Sequence, residues 1–128
     1  MGRKVVLDFI GRINAHDVEG LLELLHKDHV FIDAVGREAR GRYLIRNAWK
    51  EYFEWFPDYR LVQEEIYHQK DRFVILGFAS GTYRGLPKKE ACWMLPAAWR
   101  AVVEDGRMKE WQVYCDTKTV LDIMEKHR

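Results

Sequence analysis

An aspartate at the end of a short apolar segment is the residue of this sequence best suited to act as a base. Alternation along residues 29–33 places His29, Phe31 and Asp33 on one face of a predicted strand. Apolar neighbours would raise the pKa of a carboxyl group at this position and so make it a useful proton acceptor. Asp33 is therefore a candidate general base. The alternative is that Asp33 only begins the Asp-Ala-Val-Gly turn and caps the backbone donors of that turn.

A predicted hairpin near the C-terminus supplies a second set of candidate residues. Asp105-Gly106 is the strongest hairpin signal in the chain. A two-residue loop there pairs Arg100 with Trp111, and directly paired residues share a face of the sheet. The residues expected together on that face are Ala98, Arg100, Trp111, Val113 and Cys115. On that face Arg100 could meet an anionic or carbonyl group of a ligand, or it could simply stack on the indole of Trp111.

Motifs for nucleotide, haem or metal chemistry are missing, and no cofactor is expected. The sequence has no GxxxxGK[ST], GxGxxG, GxSxG or CxxC pattern. His26 is expected to face water at the end of a helix. His29 and Asp33 lie four residues apart on one strand, roughly 13 Å, which is too far for them to share a metal ion. Cys92 and Cys115 are predicted to be too far apart for a disulfide, so a reducing cytoplasm is the expected location.

Length and charge limit the classes of protein that fit. The 128 residues suit a single domain, residues 1–128, with 48% hydrophobic and 32% charged side chains. Net charge is +1, and no run of basic residues is long enough to predict a nucleic acid or a membrane surface as a partner. The sequence also contains no apolar stretch typical of a signal peptide or a membrane span.

Apolar residues recur with the helical period in three segments. These predict helices over residues 4–14, over a segment from an Asp17 N-cap to about His26, and over 42–56, where Pro57 ends the third helix. The third helix is the most aromatic element. We expect its stripe to be core, part of which could also be a pocket wall. The residues predicted to be buried are Val6, Phe9, Ile13, Trp49, Phe53 and Trp111.

The second half of the chain is predicted to be rich in strands. Strands are expected over 60–69, 72–83, 91–104 and 107–115, after a short one at 29–33 and a stub at 38–40. Asp116 is expected to cap a short final helix. Gly77 and Gly81 suggest bulges or bends in a strongly curved sheet. Because no βαβ repeat is present, the predicted fold class is α+β, a mainly antiparallel sheet with helices on one face.

Two sets of residues resemble a known superfamily. Val5-Val6, Asn14-Ala15-x-Asp17-x-x-Gly20, Asp28 and Asp33-x-Val35-Gly36-x-Glu38-x-Arg40 resemble the steroid delta-isomerases. Leu95-Pro96-x-x-Trp99, Val103–Met108 and Trp111-x-x-Tyr114-x-Asp116 are more similar to the SnoaL-like polyketide cyclases and the limonene epoxide hydrolases. Together they cover nearly the whole chain and point to the nuclear transport factor 2-like superfamily.

The resemblance implies a cone-shaped, curved antiparallel sheet packed against three helices and enclosing an apolar pocket, often in a homodimer packed through its sheets. It places Asp33 at the isomerases' general base. Their oxyanion-hole donors are replaced by Phe9 and Ala98, which cannot donate hydrogen bonds, so ordinary steroid isomerisation is not expected. Val113 stands where the epoxide hydrolases carry an aspartate. The residues expected to line the pocket are Phe9, Ile13, Phe31, Trp49, Phe53, Ala98, Arg100, Trp111, Val113 and Cys115.

Two functions remain open at this point. The first is binding of a small, largely apolar, carbonyl-bearing molecule, with isomerase-, cyclase- or dehydratase-like proton transfer by Asp33. The second is a non-catalytic small-molecule-binding or dimerisation module in which Asp33 is structural. A base deep in an apolar cavity would favour the first function, and a filled cavity or a solvent-exposed Asp33 the second.

Overall fold

The computed structural model describes residues 2–128, which form four α-helices and one six-stranded sheet. The first half contains α1 (Arg3–Asn14), α2 (Val18–Glu23), β1 (Leu25–Ile32), β2 (Glu38–Arg40) and α3 (Arg42–Trp55). The second half contains β3 (Arg60–Gln69), β4 (Arg72–Thr82), two 3₁₀ turns (Tyr83–Gly85 and Lys89–Ala91), β5 (Cys92–Glu104), β6 (Arg107–Cys115) and α4 (Thr117–Lys126).

Side-chain capping explains where two of the helices, α2 and α4, begin. The Asp17 carboxylate accepts the backbone N–H of Gly20 at the start of α2, and the Asp116 carboxylate accepts that of Lys118 at the start of α4. The predicted end of the second helix near His26 is wrong. Strand β1 already begins at Leu25, so α2 has only six residues and His26 belongs to the strand.

The sheet is mainly antiparallel, as predicted, with the strand order β2-β1-β6-β5-β4-β3. Four of the five pairs of neighbouring strands are antiparallel, and the β1–β6 pair is parallel. A register shift in β3, between Gln63 and Glu65, lies opposite Gly77 of β4. The bulge is therefore in the partner strand and not at Gly77, which instead permits close backbone approach: a Cβ there would collide with the carbonyl oxygen of Val62.

The core lies between the helices and one face of this curved sheet. All six residues that the helical and hairpin patterns predict to be buried are buried. Together they join one apolar cluster that also includes Trp99, Phe73 and Ile75 of the sheet. The architecture is thus the predicted α+β fold, with a curved, unclosed sheet consistent with a cone. Among the described residues, no helix is both long and apolar enough to cross a bilayer.

A β-bulge near the β5–β6 turn changes which residues face the helices. The Asp105-Gly106 turn forms as predicted, with both residues at positive φ, and Glu104 pairs with Arg107. Between Val102 and Val103, however, the register shifts by one residue. Each bulge residue reverses the faces of all later positions relative to the partner strand. The predicted pairs beyond the bulge are therefore wrong by one position.

Candidate functional site

Asp33 lies in the turn between β1 and β2, and its carboxylate is occupied by that turn. One oxygen accepts the backbone N–H groups of Val35 (3.0 Å) and Arg37 (2.9 Å). The other accepts Nε–H of Arg37 at 2.8 Å. The side chain is 32% exposed. In place of the apolar neighbours expected from the sequence, the Asp33 carboxylate has three hydrogen-bond donors. This arrangement can hold the turn, with Gly36 at φ +89°.

Arg100 and Ala98 do not lie on the face where the hairpin pattern places them. Trp111 pairs with Ala101, while Arg100 pairs with Gln112 and Ala98 with Tyr114. Both therefore lie on the face of the sheet turned away from the helices, where Arg100 forms an ion pair with Glu110 (Nη1 to Oε2, 2.7 Å). The expected contact between Arg100 and the indole of Trp111 is absent because of the bulge. Trp99, which pairs with Val113, is buried on the inner face and stacks with Trp111.

The inner face carries an aromatic cluster, which we define as Phe9, Phe31, Trp49 and Trp111. The Phe9 ring lies 5.0 Å from Trp111 and 6.3 Å from Trp49, measured between centroids. Phe31 stacks on Trp49 at 4.9 Å with only 6° between the ring planes. Phe31 is half-buried, whereas the other three are buried. The four rings pack against one another, and Phe31 is the most solvent-exposed of them.

The remaining predicted lining residues surround this cluster. Ile13 and Phe53 are buried in the same core, and Phe53 lies 5.5 Å from Trp49. Val113 and Cys115 follow Trp111 along β6 and pack on the core in a half-buried position. Burial raises the pKa of the Cys115 thiol. Eight of the ten predicted lining residues therefore gather between helices and sheet, and Ala98 and Arg100 do not.

A second group of aromatic side chains adjoins the first near the C-terminal end of α3. Tyr52 and Tyr59 pack edge to face at 4.9 Å, and Tyr59 lies 6.2 Å from Trp93. Burial raises the pKa of both tyrosines well above the usual value, with Cys115 nearby adding to the effect. Their hydroxyls are therefore neutral at physiological pH and can serve as hydrogen-bond donors.

Unpaired polar atoms distinguish this interior from an ordinary apolar core. Among residues 2–128, the buried side-chain nitrogens without a hydrogen-bond partner are His29 Nε2, Trp49 Nε1, Trp93 Nε1 and His127 Nε2. Leaving such a group buried and unpaired costs about 1–3 kcal/mol. Native proteins retain few of these groups, and each needs an explanation such as a bound water or a ligand. Two of the four belong to rings that contact Phe9, at the centre of the aromatic cluster.

His26, at the start of β1, is part of a polar group beside the β5–β6 turn. It was predicted to face water, but it is buried. Its Nε2 lies 3.0 Å from Glu104 and 3.8 Å from Asp105, and the three could be considered as metal ligands. However, Nδ1 accepts the backbone N–H of Asp28. The neutral ring must then carry its hydrogen on Nε2, where it donates to Glu104, so that nitrogen has no lone pair for a metal. The donor set does not suit a cation.

Two open clefts lie at the surface. The larger, about 530 Å³, is bordered by Pro57, Thr82, Lys88, Lys89 and Cys92. The other, about 400 Å³, lies beside Asn14, His16 and Tyr59. Neither includes Asp33 or a member of the aromatic cluster. The sequence patterns did not predict the unpaired polar atoms of the interior, since a histidine or a tryptophan in an apolar stripe gives no sign of whether its nitrogen has a partner.

Comparison with known proteins identifies the family. Residues 6–111 match the family model of the SnoaL-like domain, so the chain belongs to that family. Its fold is nuclear transport factor 2-like, as in a Cytophaga hutchinsonii protein of that fold. Among curated protein sequences no match was found.

Solved structures share the fold at low sequence identity. A Catenulispora acidiphila protein with a ketosteroid isomerase-like fold, in complex with trimethylamine, has a TM-score of 0.82 and 18% identity over 94% of this chain and 91% of its own. A proposed SnoaL-like polyketide cyclase from Shewanella denitrificans has a TM-score of 0.82 and 18% identity, over 98% of this chain and 97% of its own. TerC, co-crystallised with polyporic acid, has a TM-score of 0.81 and 20% identity, over 97% of this chain and 98% of its own.

Several residues that carry the resemblance serve the fold itself. The side chain of Asn14 donates to the carbonyl of Leu61 and accepts its N–H, at 2.9 and 2.8 Å, which ties the end of α1 to β3. His16, the position that the motif leaves unspecified, is at φ +55° and stacks on Phe53 at a centroid distance of 4.0 Å. Gly20 leaves room for the capping carboxylate of Asp17, which a Cβ would strike. The motif is therefore specific for the architecture and not for one reaction.

Proposed function

We propose that this protein binds a small, largely apolar molecule at the aromatic cluster, between the helices and the curved sheet. One observation carries the proposal: the indole N–H of Trp49 is buried among aromatic rings without an acceptor. A ligand carbonyl or ether oxygen would supply that acceptor. Phe31, flat against Trp49 and half-buried, marks the side from which a planar molecule could enter.

Ligand binding requires side chains to move, because the cluster rings pack against one another. Aromatic pairs gain roughly 0.5–1.5 kcal/mol beyond their buried area, so exchanging the stacked Phe31 for a flat ligand ring costs little net energy. The hydrogen bond to Trp49 would then be gained in addition. A planar aromatic ligand, whose ring would replace that of Phe31 on Trp49, fits this exchange.

Asp33 is structural in this proposal. Its three hydrogen bonds to Val35 and Arg37 support the non-catalytic alternative over proton transfer. Catalysis by Asp33 stays a second candidate because the side chain is 32% exposed and the fold is shared with a proposed polyketide cyclase. For Asp33 to act as a base, Arg37 must first release the carboxylate.

The indole signals of the protein provide the test. The chain has five tryptophans, and each indole N–H gives one cross-peak in a ¹H–¹⁵N correlation spectrum, assignable with Trp→Phe variants. Titration with 2-methoxynaphthalene, which carries an acceptor oxygen but no donor, should shift the Trp49 signal as its new hydrogen bond forms. Trp49→Phe should weaken binding roughly tenfold, as expected for one buried hydrogen bond.

Trp55→Phe is the matched control, because Trp55 lies on the same helix, outside the cluster. It should leave the affinity unchanged. Absence of saturable binding, or a shift confined to other indoles, would contradict the proposal.

A further inference from the structure

His29 is held inward by two irregularities of the sheet that meet at the same place. Between the pairs Leu25–Met108 and Val30–Glu110, β1 has four residues where β6 has one. The β5–β6 register shift falls at the same point of β6. Bulges of this kind redirect side chains and are common beside binding and active sites. Here the result is a histidine that is only 3% exposed, with its ring 6.3 Å from that of Phe9.

The hydrogen bond to Met108 fixes the tautomer of this ring. Nδ1 of His29 lies 2.6 Å from the carbonyl oxygen of Met108. A carbonyl only accepts, so Nδ1 carries the hydrogen, and Nε2 of the neutral ring presents a bare lone pair. That Nε2 is buried and has no partner. The protein thus orients an acceptor into its interior and leaves it unused.

Burial keeps the ring neutral. Desolvation lowers the pKa of His29 to about 4, with the nearby His26 contributing in the same direction and the Met108 hydrogen bond opposing it. At physiological pH Nε2 is therefore an acceptor only, and the neutral ring cannot attract an anion as an imidazolium would. The chemistry that satisfies it is a donor hydrogen on an uncharged molecule.

Trp49 supplies the complementary group. Its ring and that of His29 both contact Phe9, at 6.3 Å between centroids, and its N–H is an unused donor. On the two rings that contact Phe9, the interior therefore offers an unused donor, Nε1 of Trp49, and an unused acceptor, Nε2 of His29. A neutral molecule that carries a hydroxyl and a carbonyl on a flat apolar frame would satisfy both.

We infer that Nε2 of His29 accepts a hydrogen bond from a ligand hydroxyl, so that the site selects neutral, flat, apolar molecules bearing a phenol or enol group. This inference rests on the binding proposed above and adds the substrate class. An enolised 1,3-dicarbonyl or a hydroxyaryl ketone belongs to this class. A carboxylate or a quaternary ammonium compound does not.

Two probes that differ only in the donor provide the experiment. 2-Naphthol carries a hydroxyl, and 2-methoxynaphthalene has the same ring with a methyl group on the oxygen. By calorimetry the intact protein should bind 2-naphthol roughly tenfold more tightly, since the methyl ether leaves Nε2 unpaired. His29→Phe should abolish this preference. His68→Phe, at a surface histidine that stacks on Phe73, should retain it.

A measurement on the unmodified protein guards against a variant that fails to fold. ¹⁵N spectra of the histidine rings distinguish protonated from unprotonated nitrogens, and the unprotonated Nε2 signal of His29 should move when 2-naphthol is added but not with the ether. Equal affinity for the two probes would overturn the inference while leaving the proposed binding intact; it would mean that a water molecule satisfies Nε2. Failure of both probes to bind would contradict the proposed function itself.

Discussion

Nε of Arg37 donates a hydrogen bond to Asp33 at 2.8 Å, while the backbone N–H of the same arginine donates to the other carboxylate oxygen at 2.9 Å. One residue therefore holds both oxygens of the carboxylate. This contact joins the ends of the β1–β2 turn, where Asp33 N–H also donates to the carbonyl of Arg37. The Asp33 carboxylate therefore stabilises the β1–β2 turn through its hydrogen bonds.

The first prediction follows from this contact. Asp33→Ala removes the acceptor for three donors and should lower the free energy of unfolding by about 1–2 kcal/mol. Binding of 2-methoxynaphthalene should be unchanged. Urea denaturation measures the first effect and calorimetry the second. Glu38→Ala, which breaks only the exposed pair with Arg40, serves as the control and should cost less than about 0.5 kcal/mol. An Asp33→Ala protein of native stability with impaired ligand binding would instead support the catalytic or ligand-contacting role.

How far the sequence predicts this molecule depends on the range of the interactions involved. Helical stripes and the Asp105-Gly106 turn are local signals. They predict correctly that the first three helices are present, where the β5–β6 turn lies and that the six core residues are buried, but not the end of α2 or the hairpin register beyond the bulge. The bulge next to that turn has no glycine to mark it, so the positions of Arg100 and Ala98 were predicted on the wrong face. The environment of Asp33 depends on Arg37, whose side chain could not be placed from spacing alone.

The unpaired nitrogen of His29 is harder still to predict. It depends on an irregularity between β1 and β6, which are joined in parallel although they lie far apart in the sequence. No local pattern encodes that register. The hydrogen bond from His29 to a carbonyl 79 positions away then decides which nitrogen is left over.

The second prediction concerns the resemblance motif. Asn14→Ala should destabilise the fold by about 1–3 kcal/mol, because it leaves the N–H and carbonyl of Leu61 without their partners. Asn14→Asp keeps the acceptor but removes the donor, so its cost should be intermediate. Thermal unfolding monitored by circular dichroism will rank the three proteins. Equal melting temperatures for all three would contradict the structural role of Asn14.

The third prediction is self-association through the outer face of the sheet. This face exposes apolar side chains on four neighbouring strands, among them Met94 (69% exposed) and Tyr114 (49%), together with Val62, Tyr67 and Val74. Contiguous apolar surface of this kind is typical of an interface, and a two-fold contact lets one face serve both copies. We expect a homodimer in light scattering at micromolar concentration.

Charge introduced on that face should dissociate the dimer. Met94→Lys combined with Tyr114→Lys should give a monomer mass with the fold intact. Tyr43→Lys, at an equally exposed aromatic residue on α3, should remain dimeric. A monomer mass for the unmodified chain would rule out the dimer, and a dimer that survives both sheet substitutions would assign the contact to another surface.

The last prediction uses the depressed pKa of His29. In the folded protein it is about 4, against 6.5 for an unperturbed histidine. Between these values the unfolded chain binds a proton that the folded chain does not, so protonation favours unfolding as the pH falls. This residue alone should therefore remove about 3 kcal/mol of stability between pH 6.5 and pH 4, with no effect above that window. Carboxylates also titrate at the acid end, so the difference between the protein and His29→Gln isolates the contribution. The free energy of unfolding should fall more steeply for the unmodified protein, and the ring resonances of His29 should titrate near pH 4. Parallel curves for both proteins, or an NMR midpoint near 6.5, would mean that water reaches the ring and that His29 is not the desolvated acceptor described here.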